Sequence, residues 1–226
     1  SGQRCMALSV VMVEKKIKKL FLDDLITKVN NLKVGFQKLE SNSYGPLVSN
    51  DHLNNVQNYI KLAKDEGGEI ILDGREINDR RNSDKKGYFL GPTVIDSVKP
   101  NMKSYLNEIF GPVLQIIEID NIEEGIQIIN QNSFGNGCCI FTENGNYARE
   151  FSEKVDIGMV GVNIPLPVPS SFHSFGGWKN SLFGDLNIYG PDGLRFYTRR
   201  KTVTQRWFGS SDKSEINLSM PSNQKN

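Results

Sequence analysis

The chain carries only two histidines and three cysteines among 226 residues, and each scarcity closes off a class of chemistry. His52 and His173 stand far apart and no Cys/His spacing of the zinc-binding kind occurs, so no metal centre is expected. The cysteine count is odd, and Cys138 and Cys139 are neighbours whose side chains diverge to opposite faces on a strand, which speaks for free thiols and a reducing compartment. No apolar run approaches the ~18 residues a membrane span requires. Neither sign of charge dominates: Lys and Arg total 27 against 26 Asp and Glu, which argues against a dedicated nucleic-acid surface. A Gly-x-Gly-x-x-Gly dinucleotide fingerprint is absent. The opening, Ser1-Gly2-Gln3-Arg4-Cys5, has no Met and no basic leader, so the true start is expected upstream or the chain is a fragment, and any targeting signal lies out of view.

What is present is ordinary for a globular protein: 38% hydrophobic and 23% charged residues, with 21 Gly and 9 Pro. The length suits one large domain or two small ones. Ile17, Leu20, Phe21, Leu25, Ile26, Val29 and Leu32 follow the i, i+3, i+4 rhythm of an amphipathic helix. Ser49, Asn50 and Asp51 offer capping chemistry for a second helix carrying Leu53, Val56, Ile60 and Ala63, which Gly67-Gly68 ends. A short strand is expected over 69–72, a charged surface loop or hairpin over 75–86, and strands over 88–98 and 112–119. Helices over 122–130 and 146–155 flank a strand over 138–141, and the second leads into Gly158–Asn163. This alternation predicts βαβ units and an α/β fold with a mostly parallel or mixed sheet flanked by helices. Residues 165–193 are rich in Pro, Gly and Ser and read as a long ordered loop. The alternation over 196–207 predicts a terminal strand, and residues 210–226 a polar, disordered tail.

Cys5 lies at a small-residue turn before a helix-compatible apolar stretch. Backbone N–H groups, the positive end of such a helix and the adjacent Arg4 would all favour its thiolate, making it a candidate nucleophile. The competing reading is a buried structural cysteine. Cys138 and Cys139 lie in an apolar run and read as core residues. The lysine pairs near residue 16 and the Arg199-Arg200-Lys201 run read as solvated faces.

Gly2-Gln3-Arg4-Cys5, Glu108-Ile109-Phe110-Gly111-Pro112-Val113 and Phe175-Gly176-Gly177-Trp178-Lys179-Asn180-Ser181, in that order, closely resemble the aldehyde dehydrogenase superfamily over roughly Gly2 to Trp207. Gly87-Tyr88-Phe89 and Pro92-Thr93-Val94 belong to the same pattern. Gln3 to Ser9, Gly184 to Gly193 and Phe196 to Lys201 are similar to its coenzyme-A-acylating branch, the methylmalonate-semialdehyde dehydrogenases.

That resemblance implies a catalytic domain over 1–193, a C-terminal oligomerisation strand over 194–209, and an upstream NAD-binding domain. The upstream part would hold the helping Asn and any general-base Glu. It implies that Cys5 attacks the aldehyde, that NAD takes the hydride, and that coenzyme A as co-substrate takes the acyl group. The products would be propionyl-CoA from methylmalonate semialdehyde and acetyl-CoA from malonate semialdehyde, in valine and pyrimidine catabolism. Glu108 would accept the nicotinamide-ribose hydroxyls and Phe110 pack on the nicotinamide; otherwise they are a helix-end charge and a core aromatic. Phe175 would line the substrate pocket, or else simply pack the loop. Arg4 would clamp the substrate carboxylate, or else tune Cys5 or form a structural ion pair. A homodimer or homotetramer acting on a small semialdehyde is implied, with no membrane or nucleic-acid partner. Its compartment would be the mitochondrial matrix in a eukaryote or the cytoplasm in a bacterium. The alternatives are a hydrolytic aldehyde dehydrogenase, or a catalytically silent fragment serving only as an oligomerising α/β domain.

Overall fold

The computed structural model describes residues 1–36, 42–76, 87–205 and 207. Its main sheet has the order β1-β4-β3-β2, built from β1 (Val10–Glu14), β4 (Val113–Ile119), β3 (Thr93–Asp96) and β2 (Glu69–Leu72). β1 runs parallel to β4, with Val10 opposite Gln115, and β3 runs parallel to β4, with Thr93 opposite Val113; β2 closes the edge antiparallel to β3. The period of two sorts the side chains into two faces. Ile95 and Ile117 join Leu53, Val56, Ile60 and Ala63 of α2 (Asn50–Asp65). Val94 and Ile116 face Phe21, Leu25, Ile26 and Val29 of α1 (Lys18–Asn30). Both faces are thus covered, which is why these strands carry apolar side chains toward both sides.

The second lobe begins after the short helix α3 (Lys103–Leu106), with α4 (Ile122–Gln131). β5 (Phe134–Gly135) pairs antiparallel with β8 (Trp178–Lys179), while β6 (Gly137–Ile140) and β7 (Met159–Val162) are parallel and joined through α5 (Gly145–Lys154). Ile126, Phe151, Val155 and Ile157 form its core. Helices α2, α4 and α5 each start on a side-chain cap. Ser49 accepts from the His52 N–H, Asn121 from the Glu124 N–H, and Asn144 from the Asn146 and Tyr147 N–H groups.

Four expectations change. The apolar stretch after Cys5 is a strand, β1, because its valine-rich run gains a parallel ladder with β4. The strand expected over 88–98 contracts to Thr93–Asp96. The loop expected over 165–193 contains β8 and the start of α6 (Gly190–Tyr197). The terminal strand expected over 196–207 is not formed: α6 starts with Pro191 in its first turn and Asp192 complementing its dipole, and runs through Tyr197. Residues 198–205 join no ladder among the described residues, since a strand exists only where a neighbour supplies hydrogen bonds. The oligomerisation segment expected from residue 194 therefore begins inside a helix. Most of the charged loop and the whole 210–226 tail lie outside the described residues. Among those described, no helix is long and apolar enough to cross a membrane.

Candidate active site

Cys5 occupies a four-residue turn closed by the Ala7 N–H donating to the Arg4 carbonyl at 2.9 Å, and its thiol is exposed. The chain leaves this turn extended and enters β1, so no helix start stands behind the sulfur; the expected helix dipole contribution is absent because β1 took the place of that helix. Arg4 is the remaining positive group in the immediate sequence. It is exposed and makes no ion pair or hydrogen bond among the described residues, which leaves its guanidinium able to meet an anion.

The Glu108–Phe110 segment follows α3. Ile109 is buried and anchors it, while Glu108 and Phe110 on either side are exposed. Phe110 has φ 56°, a left-handed conformation costing a non-glycine residue about 1–2 kcal/mol. Its carbonyl is held by His52 Nε2–H at 2.7 Å, which fixes the His52 tautomer as the Nε2–H form or the imidazolium. The segment is packed directly on the nucleophile's approach: Gly2 has φ 71°, and a Cβ there would overlap the Gly111 carbonyl. Only glycine meets both demands.

Phe175 is half-buried, its ring 5.6 Å from that of Tyr189. Its loop is tied down by Lys179, whose ammonium donates to the carbonyls of Ile129, Asn130 and Asn132 at the C-terminal end of α4. They lie at the negative end of the helix, so a cation there also complements the helix dipole.

Arg4, Cys5, Glu108, Phe110 and Phe175 all line one cleft of about 1760 Å³. Cys138 and Cys139 line it too, but burial pushes the Cys138 thiol up to about 12 and raises that of Cys139. Both shifts disfavour the thiolate at these two positions. Among the described residues, no group of three or more His, Cys, Asp or Glu is placed to hold a metal ion. A nicotinamide dinucleotide is compatible with the donors present: Glu108 makes no hydrogen bond or ion pair among the described residues, leaving its carboxylate free for a diol, and the Phe110 ring faces the cleft rather than the core. Three residues that hold the site together escaped the sequence reading: His52, Asn136, which bonds the Cys5 carbonyl at 3.0 Å, and Lys179. Each acts on a backbone carbonyl far away along the chain, a contact with no local sequence signature.

Residues 1–203 match the aldehyde dehydrogenase family. A malonate-semialdehyde dehydrogenase from Pseudomonas aeruginosa is 47% identical over 209 residues, covering 91% of this chain and 41% of the relative. One from Bacillus cereus is 45% identical, covering 92% and 42%. The crystal structure of a methylmalonate-semialdehyde dehydrogenase from Oceanimonas doudoroffii superposes with a TM-score of 0.88 at 46% identity, covering 93% of this chain and 43% of that one. That of a putative methylmalonate-semialdehyde dehydrogenase from Sinorhizobium meliloti, complexed with NAD, gives 0.88 at 39% identity with the same coverage. The chain thus spans about two fifths of the length of the curated relatives it matches.

Proposed function

Because the chain belongs to the aldehyde dehydrogenase family, we propose that the full-length protein oxidises malonate or methylmalonate semialdehyde to an acyl-CoA, with Cys5 as nucleophile. The observation that carries this reading is an exposed cysteine on a hydrogen-bonded turn, beside an unpaired guanidinium, in one cleft with Glu108 and Phe110. The names of the relatives support the substrate class.

The Cys5 thiolate adds to the aldehyde carbon, giving a thiohemiacetal whose oxyanion would accept a hydrogen bond from the Cys5 backbone N–H. Arg4 binds the substrate carboxylate and aims the carbonyl at the sulfur. NAD, when bound, supplies the acceptor for the hydride; Glu108 would hold its ribose and Phe110 its nicotinamide. Loss of that hydride leaves a thioester on Cys5. The substrate carboxylate departs as CO2, and the electron pair it leaves on the α-carbon takes up a proton from water. The thiol of coenzyme A loses its proton and takes the acyl group, freeing the Cys5 thiolate and giving acetyl-CoA or propionyl-CoA. Valine and pyrimidine breakdown are the routes in which these semialdehydes arise.

The cleft exceeds the ~300–1,000 Å³ of ordinary small-molecule pockets, and an upstream NAD-binding domain filling part of it is in keeping with the length of the relatives. Residues 1–193 are then a catalytic domain that is nearly silent alone. Three free thiols suit a reducing compartment, the cytoplasm of a bacterium or the mitochondrial matrix of a eukaryote.

The test is NADH formation by the full-length protein with malonate semialdehyde, with and without coenzyme A. CoA-dependent NADH, an acyl adduct on Cys5 in a quenched reaction, and at least a ~10³-fold loss in Cys5→Ala are expected. CoA-independent turnover would select the hydrolytic reading. No adduct on Cys5 would overturn the assignment.

A further inference from the structure

We propose that Asn136 is a positioning residue that orients the Cys5 turn, an inference that rests on the reading of Cys5 as nucleophile. Asn136 lies between β5 and β6, 131 positions along the chain from Cys5. Its side-chain amide donates to the Cys5 carbonyl at 3.0 Å and reaches Met6 Sδ at 3.2 Å. Only the NH2 end of the amide can donate to a carbonyl, so the chemistry fixes which way this side chain faces.

The contact matters because, among the described residues, one backbone hydrogen bond, from Ala7 to Arg4, closes the turn. The chain then runs extended into β1 rather than into a helix. A bond to the carbonyl of Cys5 itself restricts the ψ angle of the nucleophile, and with it the direction in which its side chain enters the cleft. Asn136 is rigidly mounted for this purpose. On one side the Gly135 N–H donates to Ser181 Oγ at 3.0 Å and its carbonyl accepts from Gly158. On the other, Gly137 pairs with Met159 in the β6–β7 ladder. A Cβ on Gly137 would lie 2.7 Å from Met6 Cε, so the turn is seated directly on this backbone. A Cβ on Gly177 would lie 2.9 Å from Asn136 Cα, so the segment carrying Phe175 covers the residue from above. Asn136 is therefore the junction at which the nucleophile turn, the second-lobe sheet and the Phe175 loop meet.

Misplacing a reacting atom by about 1 Å can cost ~100-fold in rate without loss of binding. The experiment compares Asn136→Leu and Asn136→Asp with the unmodified full-length protein; the second keeps the shape but turns an oxygen toward the Cys5 carbonyl. The readouts are kcat, KM for malonate semialdehyde and for NAD, and the rate of Cys5 modification by iodoacetamide followed by peptide mass spectrometry. We expect kcat to fall at least tenfold in both, each KM to stay within twofold, and Cys5 modification to slow at least threefold. Should Asn136→Leu fail to fold, the isosteric Asn136→Asp decides. A folded variant that keeps kcat and Cys5 reactivity within twofold overturns the proposal while leaving the function intact. Absence of NADH formation by the unmodified protein overturns the functional reading and this inference together.

Discussion

The three thiols of this chain differ in what their surroundings do to them. Cys138 is pushed up to about 12 by burial first, with the neighbouring Cys139 adding to the rise and the Lys179 ammonium opposing it. Cys139 is raised by burial, against a hydrogen bond from Gly161. Cys5 is exposed on its turn. Since the thiolate is the reactive form, iodoacetamide at pH 7 is expected to modify Cys5 at least ~10-fold faster than the other two; equal rates would remove the case for an activated sulfur. Arg4 makes a separate prediction. A charged hydrogen bond to a carboxylate is worth about 1.5–3 kcal/mol, or roughly 10- to 150-fold. Arg4→Ala in the full-length protein is expected to lower kcat/KM for malonate semialdehyde by that factor relative to an uncharged aldehyde of equal size. Parallel losses on both substrates would leave Arg4 with no carboxylate to bind.

Among the elements, α2 braces the Glu108–Phe110 segment from both of its ends. At its start, His52 holds the Phe110 carbonyl. At its finish, the Glu66 carboxylate accepts the N–H groups of Lys103 and Ser104 and the Ser104 hydroxyl, at 2.8, 3.2 and 3.1 Å, capping α3. Partial burial alone would raise the Glu66 pKa, but these donors outweigh it and the carboxyl titrates below its ordinary value. A depressed carboxylate contributes stability above its unfolded pKa and loses it as pH falls through the folded one. Glu66→Gln is therefore expected to cost about 1 kcal/mol at pH 7, the worth of a helix cap. The difference should close in acid, below the pKa of the folded carboxyl, as read by denaturant melts at several pH values. A penalty that is the same at pH 7 and in acid would assign the effect to packing.

How much of this could be read in the sequence varies from element to element. The second helix was legible in full, since Leu53, Val56, Ile60 and Ala63 keep one face and Ser49 supplies the cap. β1 was not, because a short apolar run without polar alternation fits a buried parallel strand and a helix equally well, and only the distant β4 decides. At the C-terminus the alternation over 196–207 suggests a strand, whereas Pro191 and Asp192 in the first turn start a helix that runs through Tyr197. The site followed the same division. Arg4, Cys5, Glu108, Phe110 and Phe175 stand in contiguous motifs, whereas His52 and Asn136 reach carbonyls 58 and 131 positions away, and a carbonyl carries no residue identity to read.

For the whole molecule the governing feature is apolar surface near the C-terminal part of the chain. Phe183 is fully exposed, Phe172, Tyr197 and Trp207 are 80–85% exposed, and Leu194 and Phe196 add to them. Isolated exposed apolar residues are normal, but large aromatics concentrated in one stretch mark a surface meant to be covered. Residues 198–205 meanwhile present backbone with no ladder partner among the described residues, the condition that invites pairing with another chain. A second copy of the protein satisfies both needs at once, which is the basis for proposing a homodimer or homotetramer. The 226-residue chain is accordingly expected to show a mass that rises with concentration in sedimentation equilibrium. Replacing Leu194, Phe196 and Tyr197 together by polar residues is expected to shift that equilibrium toward the monomer, without lowering the iodoacetamide reactivity of Cys5. A chain that stays monomeric at high concentration with these side chains intact would mean that the exposed face serves some purpose other than self-association.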